Sequence, residues 1–261
     1  MLRACGFSDK GSVRLANEDR FAVHEDLGLC IVADGMGGHN AGEIAARMVV
    51  DGVGDYLRDA RSRPTDDTQR CDGHDAWPFG FDEDASHEGN LIRTSILLAS
   101  LHIFETAVST NGYGGMGTTV VAALAVNDTL TVGHVGDSRL YVLSDRRLRR
   151  LTTDDSWMAT VAANDPTIDL RQYQHHPMRH ALTNVVGGRT PTQVHVHEET
   201  LVSGARLLLT TDGVHGALDD RCLEDLMGRG GGVESTVRSI VAAALARGSR
   251  DNCTVVVAEY C

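Results

Sequence analysis

Short apolar runs alternate with Gly-, Asp- and Asn-rich punctuation along most of this chain. Runs at residues 2–7, 20–24, 28–33, 118–126, 129–135, 140–143, 193–197, 206–211 and 253–259 are rich in Val, Leu, Ile and Thr and predict strands. Three stretches change to a three- and four-residue period. Over 41–61, Ala45, Val49, Val53 and Tyr56 share a face; over 88–110, Ile92, Ile96, Ala99, Ile103 and Ala107 do; over 233–247, Val237, Ile240, Val241 and Ala244 do. A shorter helix is expected over 219–227. Strands at both ends with helices between them predict an α+β fold, antiparallel sheets packed inside layers of helix. Strict strand–helix alternation is missing, which disfavours a doubly wound parallel sheet.

Two regions follow neither period. Residues 62–87 are polar and read as a surface insertion between the first two helices. Residues 152–189 hold three histidines and two prolines; loops that long in a compact domain tend to be functional or mobile. The 261 residues, 42% of them hydrophobic, suffice for a sizeable core, and a single domain over 1–261 is expected. No apolar run approaches the ~20 residues that span a bilayer, and the start, MLRACGFSDKG, lacks the apolar stretch of a secretory signal. A soluble, cytoplasmic monomer without a membrane partner is the expectation.

The formal net charge of −12 disfavours nucleic acid as a partner, because duplex binding needs cationic neutralisation of phosphates. Bound cations would offset part of that charge. Lys10 is the only lysine, and it follows no Gly-rich turn and lies in no strand context, which excludes P-loop, protein-kinase and pyridoxal chemistry. The six cysteines include no C-x-x-C pair; Cys30 and Cys253 sit inside apolar runs and read as small buried hydrophobes.

Candidate chemistry lies where apolar runs end. GLCIVADG closes on Asp34 and Gly35, and RLLLTTDG closes on Asp212 and Gly213. A carboxylate at the end of a rigid strand is held in place, and a following glycine lets backbone approach a ligand closely. Asp-Gly is also a common turn dipeptide, and Asp51-Gly52 and Asp72-Gly73 read as turns. Asp137 follows the run at 129–135, and Asp251 precedes the run at 253–259. Four such aspartates suggest convergence in space, and hard oxygen ligands select Mg²⁺, Mn²⁺ or Ca²⁺. In GSVRLANEDR, Arg14 precedes Glu18 and Asp19; a guanidinium binds phosphate oxygens bidentately, though beside two acids it is more often an ion pair. Asp82-Glu83-Asp84-Ala85-Ser86 matches an aspartyl phosphotransferase motif but lies in the polar insertion, not after a buried strand.

The segments GSVRLANEDRF, IVADGMGGHNAGEIAA, GMGTTVVAAL, VGHVGDSRLYVL, the HP-x-R of 176–179 followed by LTNVVGG, LLLTTDGV and DNCTVVV together resemble the PPM (PP2C-type) protein phosphatases, in their bacterial branch. Seven segments in the family's order over residues 6–259 make the resemblance specific. It implies an αββα sandwich and hydrolysis of phosphoserine and phosphothreonine in phosphorylated proteins, using two Mn²⁺ or Mg²⁺ ions with a position for a third. Asp34 would bridge two ions, Gly35 would offer its carbonyl, and Asp212 and Asp251 would ligate the other ion. Glu18 and Asp19 would hold metal-bound waters, Asn252 would support Asp251, and Asp137 with Asp212 would form a weaker third site. Arg14 would hold the substrate phosphate, and 152–189 would be the family's flap. A cognate serine/threonine kinase is expected by analogy.

The chain departs from the family at several points. Met36 stands where eukaryotic members carry a histidine, so the proton for the leaving alkoxide would come from His39 or from a metal-bound water. Asp154-Asp155-Ser156 replaces the Asp-His-Ser of many relatives, and Gln174-His175-His176 is unusual. His195 and His197 alternate on a strand and read as a solvated face. The alternatives to catalysis on proteins are a pseudophosphatase that binds phosphoproteins and a phosphatase of small metabolites. Retention of Asp34, Asp212, Asp251 and Arg14 favours catalysis over the first.

Overall fold

A strand covered on both faces has no polar positions to alternate, and the computed structural model shows why this chain has so many solid apolar runs. It describes residues 2–38, 41–62, 77–165, 167–173, 176–188 and 191–261. The elements are β1 (Leu2–Asp9), β2 (Arg20–His24), β3 (Leu29–Ala33), β4 (Gly35–Met36), α1 (Ala41–Ser62), α2 (His87–Ser109), β5 (Gly117–Thr118), β6 (Val120–Val126), β7 (Thr129–Val135), β8 (Arg139–Ser144), β9 (Arg147–Arg150), α3 (Trp157–Asn164), β10 (His195–Thr200), β11 (Arg206–Thr210), α4 (Asp212–His215), α5 (Asp220–Gly228), α6 (Val233–Ala246) and β12 (Cys253–Tyr260), with a 3₁₀ turn at Leu170–Tyr173.

Two five-stranded sheets run in the orders β1-β12-β11-β8-β9 and β10-β7-β6-β3-β2, and every pairing is antiparallel. They stack face to face, with α1 and α2 outside the second sheet and α5 and α6 outside the first. The strand period of two sorts side chains between layers. Along β3, Leu29, Ile31 and Ala33 pack with α1 and α2, while Cys30 and Val32 face the other sheet. Along β12, Cys253, Val255 and Val257 meet α6, while Val256 and Ala258 point between the sheets. Burial of one such Ile, Leu or Val contributes about 1.5–3 kcal/mol. Gly133 on β7 lets α2 approach, since a Cβ there would lie 2.1 Å from Ile92 Cγ2.

The helices have local causes as well. The side chain of Ser86 accepts from the Gly89 N–H at the start of α2, and Asp219 accepts from the Cys222 N–H at the start of α5. The motif at 82–86 is therefore a helix cap in a turn.

The structure departs from the sequence reading in several places. The run at 118–126 is two strands parted at Thr119, because β5 pairs with β4 and β6 with β3. Polar β9 forms by hairpin pairing to β8, for which no apolar pattern is needed. The strand expected at 193–197 is shifted to His195–Thr200. Asp51-Gly52 is no turn; it lies inside α1, whose buried face continues through Val50, Val53 and Leu57. The 152–189 region contains α3, capped by Ser156. Residues 63–76 of the expected insertion, with Asp72-Gly73, lie outside the described residues. Contrary to the expectation, α2 is long and apolar enough to cross a bilayer by length and composition, with mean hydropathy 1.4 over an 18-residue window. Of that window 44% is buried in the fold, and its outward face keeps Leu101, Phe104 and Val108 exposed.

Ile96 is fully buried on α2, whereas Val108 is 73% exposed. Urea unfolding of Ile96→Ala should show a loss of about 2–5 kcal/mol, and Val108→Ala a change within about 0.5 kcal/mol.

Candidate active site

Carboxylates from five separate segments meet at one end of the sandwich. Asp34 follows β3 and Asp137 follows β7; Asp212 opens α4 just after β11; Asp251 precedes β12 and Asp19 precedes β2. Asp34 feels the charges of Asp19, Asp212, Asp137 and Asp251, and Asp212 lies next to it in the cluster.

Rigid backbone holds each acid. The Asp34 N–H donates to Thr119 Oγ1 at 3.0 Å, and its carbonyl accepts from the Thr119 N–H (2.9 Å) and the Thr118 hydroxyl (2.8 Å). Thr119 Oγ1 lies 2.7 Å from Ser138 Oγ, which ties the Asp137 turn to the same post. Asp19, 1% exposed, accepts from the hydroxyls of Thr211 (2.9 Å) and Thr254 (2.6 Å). Two glycines permit the convergence. A Cβ on Gly35 would lie 2.1 Å from the Gly42 carbonyl oxygen, and one on Gly213 would lie 2.0 Å from that of Asn252. Asp212 does not end a strand, as the sequence suggested; it begins a helical turn, so its carboxylate stands at that turn's N-terminal edge.

Buried like charges raise one another's pKa. Burial first and neighbouring acids second push Asp34 well above the ordinary carboxylate range, and Asp212 upward in the same way. Burial, then Asp212 and Asp154, push Asp137 up to about 7. Burial also raises Asp19 to about 7, against the pull of its two hydroxyl donors. Oδ1 of Asp19 and Oδ1 of Asp212 are buried without any protein partner. Orphaned carboxylate oxygens in a crowded acidic pocket fit hard divalent cations such as Mg²⁺ or Mn²⁺. Among the described residues no three acidic, His or Cys side chains already close around a single point, so the protein supplies donors and not a finished cage.

The segment before β2 forms the rim. Arg14 is exposed and donates to Asp251 Oδ2 at 2.5 Å. Asn252 supports Asp251 only through its main-chain N–H, at 2.9 Å from Asp251 Oδ1. Its side chain instead clamps the rim, donating to the carbonyls of Lys10 (2.8 Å) and Ala16 (3.0 Å) and accepting from the Glu18 N–H (2.9 Å). The Glu18 carboxylate lies against Gly42, where a Cβ would come within 2.8 Å of Oε1.

The 152–189 region borders the acids. Asp154 takes two hydrogen bonds from Arg139, at 2.9 and 2.6 Å. Trp157 stacks on His176 at 4.3 Å, and the charge of His180 reaches Asp212. Met36, on β4, has no proton to give. His39 lies outside the described residues. Sequence reasoning missed Thr119, Thr211, Thr254 and His180. The three threonines stand inside or beside strand runs, where hydroxyls read as ordinary strand residues, and their partners are remote in sequence.

A family model for protein phosphatase 2C matches residues 11–246. The serine/threonine phosphatase stp of Listeria welshimeri is 28% identical over 255 residues, covering 97% of this chain and 93% of that protein. The serine/threonine protein phosphatase PstP of Mycobacterium tuberculosis is 31% identical over 264 residues, 99% of this chain but 45% of PstP. A crystal structure of the M. tuberculosis phosphatase PstP/Ppp superposes with a TM-score of 0.82 at 27% identity, covering 99% of this chain and 98% of that one. The catalytic domain of PstP in complex with two manganese ions superposes with a TM-score of 0.76 at 28% identity, covering 99% and 97%. With its four layers, its convergent acids and a family match over most of its length, this chain belongs to the protein phosphatase 2C family.

Proposed function

We propose that the chain is a protein phosphatase that hydrolyses phosphoserine and phosphothreonine with the help of bound Mn²⁺ or Mg²⁺. The observation that carries this reading is the buried Asp34–Asp212 pair with an orphaned oxygen, lying within electrostatic reach of the exposed Arg14. The two manganese ions held by the related PstP domain, and relatives that are named serine/threonine phosphatases, support the cation and substrate class. Phosphorylated proteins are then the substrates, and a serine/threonine kinase acting on the same targets is the expected counterpart.

Asp34, the Gly35 carbonyl, Asp212 and Asp251 would hold two ions, with Asp137 beside Asp212 offering a third position. When bound, the ions supply Lewis acidity and bring the pKa of water towards neutrality. The chain does the rest. Arg14 presents its guanidinium to the phosphate oxygens and neutralises charge that grows on them. Its present partner, Asp251, is one of the proposed ligands, so cation binding and release of Arg14 towards substrate are linked through one carboxylate. Glu18 and Asp19 orient solvent around the acids; the Thr211 and Thr254 hydroxyls hold the Asp19 carboxylate, and Thr119 fixes the main chain of Asp34. A thioether at Met36 leaves the leaving-group proton to solvent or to a residue outside that loop position.

Hydrolysis of para-nitrophenyl phosphate and of a phosphothreonine peptide should require added Mn²⁺ and stop with chelator. Asp34→Ala and Asp212→Ala should each abolish both activities; full activity of Asp212→Ala would refute the ligand assignment. Arg14→Ala should raise KM by about 10–100-fold, as expected for one charge-assisted contact of about 1.5–3 kcal/mol, with a smaller effect on kcat.

Proton linkage gives a further check. In the metal-free fold Asp19 and Asp137 keep their protons up to about 7 instead of the ordinary 3.8. Between those values the folded chain binds more protons than the unfolded one, so this contribution is complete below pH 3.8 and is lost as pH rises through about 7. Calorimetric scans of the metal-free protein should show Tm falling from about pH 4 to about pH 7, and Mn²⁺ should remove that fall by binding the ionised acids.

A further inference from the structure

Asp155 lies at the entry of the 152–189 region, and its surroundings assign it a task. Its N–H donates to the Gly136 carbonyl at 2.9 Å, and its Oδ2 accepts from the Gly136 N–H at 2.9 Å, a reciprocal grip on the residue before Asp137. The same Oδ2 accepts from Asn184 Nδ2 at 2.8 Å, and the Asp155 carbonyl accepts from the Thr183 N–H at 2.9 Å. Thr183 and Asn184 belong to the far end of the 152–189 region, so one residue fastens its entry and its exit to a single turn. Asn184 extends the link to the strand ahead, donating to the Gln193 carbonyl at 2.7 Å and accepting from the Gln193 N–H at 3.2 Å.

His195 completes the arrangement. Its Nε2 lies 2.9 Å from Asp155 Oδ1, where an N–H on that nitrogen donates to the carboxylate oxygen. The imidazole of His195 also stacks at 4.9 Å, with 26° between planes, on His134, its register partner on β7. His134 is 5% exposed, and burial, with His195 next, pulls its pKa down to about 4, so it packs as a neutral ring. His195 stays on the partly exposed face that the sequence reading gave it, 37% exposed, and its ring also meets an acid at the edge and a ring at the face. His197, two residues on, keeps that character, 45% exposed with its Nε2 3.4 Å from Glu199 Oε2. The turn itself has little freedom, because Gly136 has φ +94° and a Cβ there would lie 2.7 Å from Thr119 Cγ2.

We propose that Asp155 is a positioning residue that fastens both roots of the 152–189 flap to the Gly136-Asp137 turn, with His195 orienting its carboxylate. The seating of the flap and the placement of Asp137 are thereby one event. The role of Asp137 as a cation ligand rests on the functional reading above; the fastening itself rests on the hydrogen bonds alone.

The test compares Asp155→Ala, Asp155→Asn and His195→Phe with His197→Gln as a control. Asn keeps an acceptor for Gly136 and Asn184 but turns an NH2 towards His195, so it should be milder than Ala and close to His195→Phe. Asp155→Ala should speed hydrogen exchange of the Gly136 amide in the metal-free protein. It should also weaken the weakest phase of Mn²⁺ binding, read by calorimetry without substrate, by about 10-fold, the scale of lost support to a metal ligand. On a phosphothreonine peptide its KM should rise about 10-fold with kcat within about 3-fold, on the same scale. His195→Phe should give a smaller shift in the same direction and serves as the test if Asp155→Ala does not fold. Unchanged exchange and Mn²⁺ binding in Asp155→Ala would overturn the proposal, as would Asp155→Asn as impaired as Ala, or a lowered Tm with KM unmoved. The exchange and calorimetric readouts need no turnover, so a wild-type chain inactive on the peptide would count against the functional reading and not against the fastening.

Discussion

Mutual repulsion among buried carboxylates is the constraint around which this molecule is organised. Asp19, Asp34, Asp137, Asp212 and Asp251 come from both sheets and act on one another's charge. Without cations they coexist by retaining protons, because burial and their neighbours raise the pKa values of Asp19, Asp34, Asp137 and Asp212. Two divalent ions would remove the need for those protons. Five of the 36 acidic residues stand in this pocket, where bound cations would offset part of the net charge of −12. The scaffold has to be stiff enough to keep these groups together against their repulsion, and the doubly covered strands supply that stiffness.

The main parts of this plan are legible in one sequence. The helix faces named from periodicity, such as Ile92, Ile96, Ala99, Ile103 and Ala107, are buried faces in the fold, because a 3.6-residue repeat survives any tertiary arrangement that covers one side. Solid apolar runs announced strands that are covered twice. Asp34, Asp137, Asp212 and Asp251 could be picked out because each interrupts or borders such a run, although Asp212 proved to open a helical turn.

What stayed hidden depends on pairing between distant segments. Nothing near Thr211 or Thr254 tells that both hydroxyls serve Asp19, more than 190 residues away. β4 and β5 have two residues each and no periodicity to read. β9 exists because a hairpin offers it a partner, and Asp51-Gly52 stays helical because the packing of α1 overrides the local preference for a turn. Asn252 illustrates the same limit within the site. Its position beside Asp251 was readable, whereas the use of its side chain to hold the backbone at Lys10, Ala16 and Glu18 was not.

The two sheets also differ in how they are joined at their ends. Away from the acids, the hydroxyl of Tyr260 on β12 reaches the Asn127 carbonyl in the β6–β7 connection at 2.7 Å, a clasp made by the chain itself. At the acidic end Asp34 comes from one sheet and Asp212 from the other, so an ion bound by both would be bonded to each half of the sandwich. Such an ion is a rivet as well as a reagent. Its removal would cost activity and would leave that edge held by the chain's own bonds alone, such as those from Thr211 and Thr254 to Asp19, so that metal supply would tune the hold between the halves along with the chemistry.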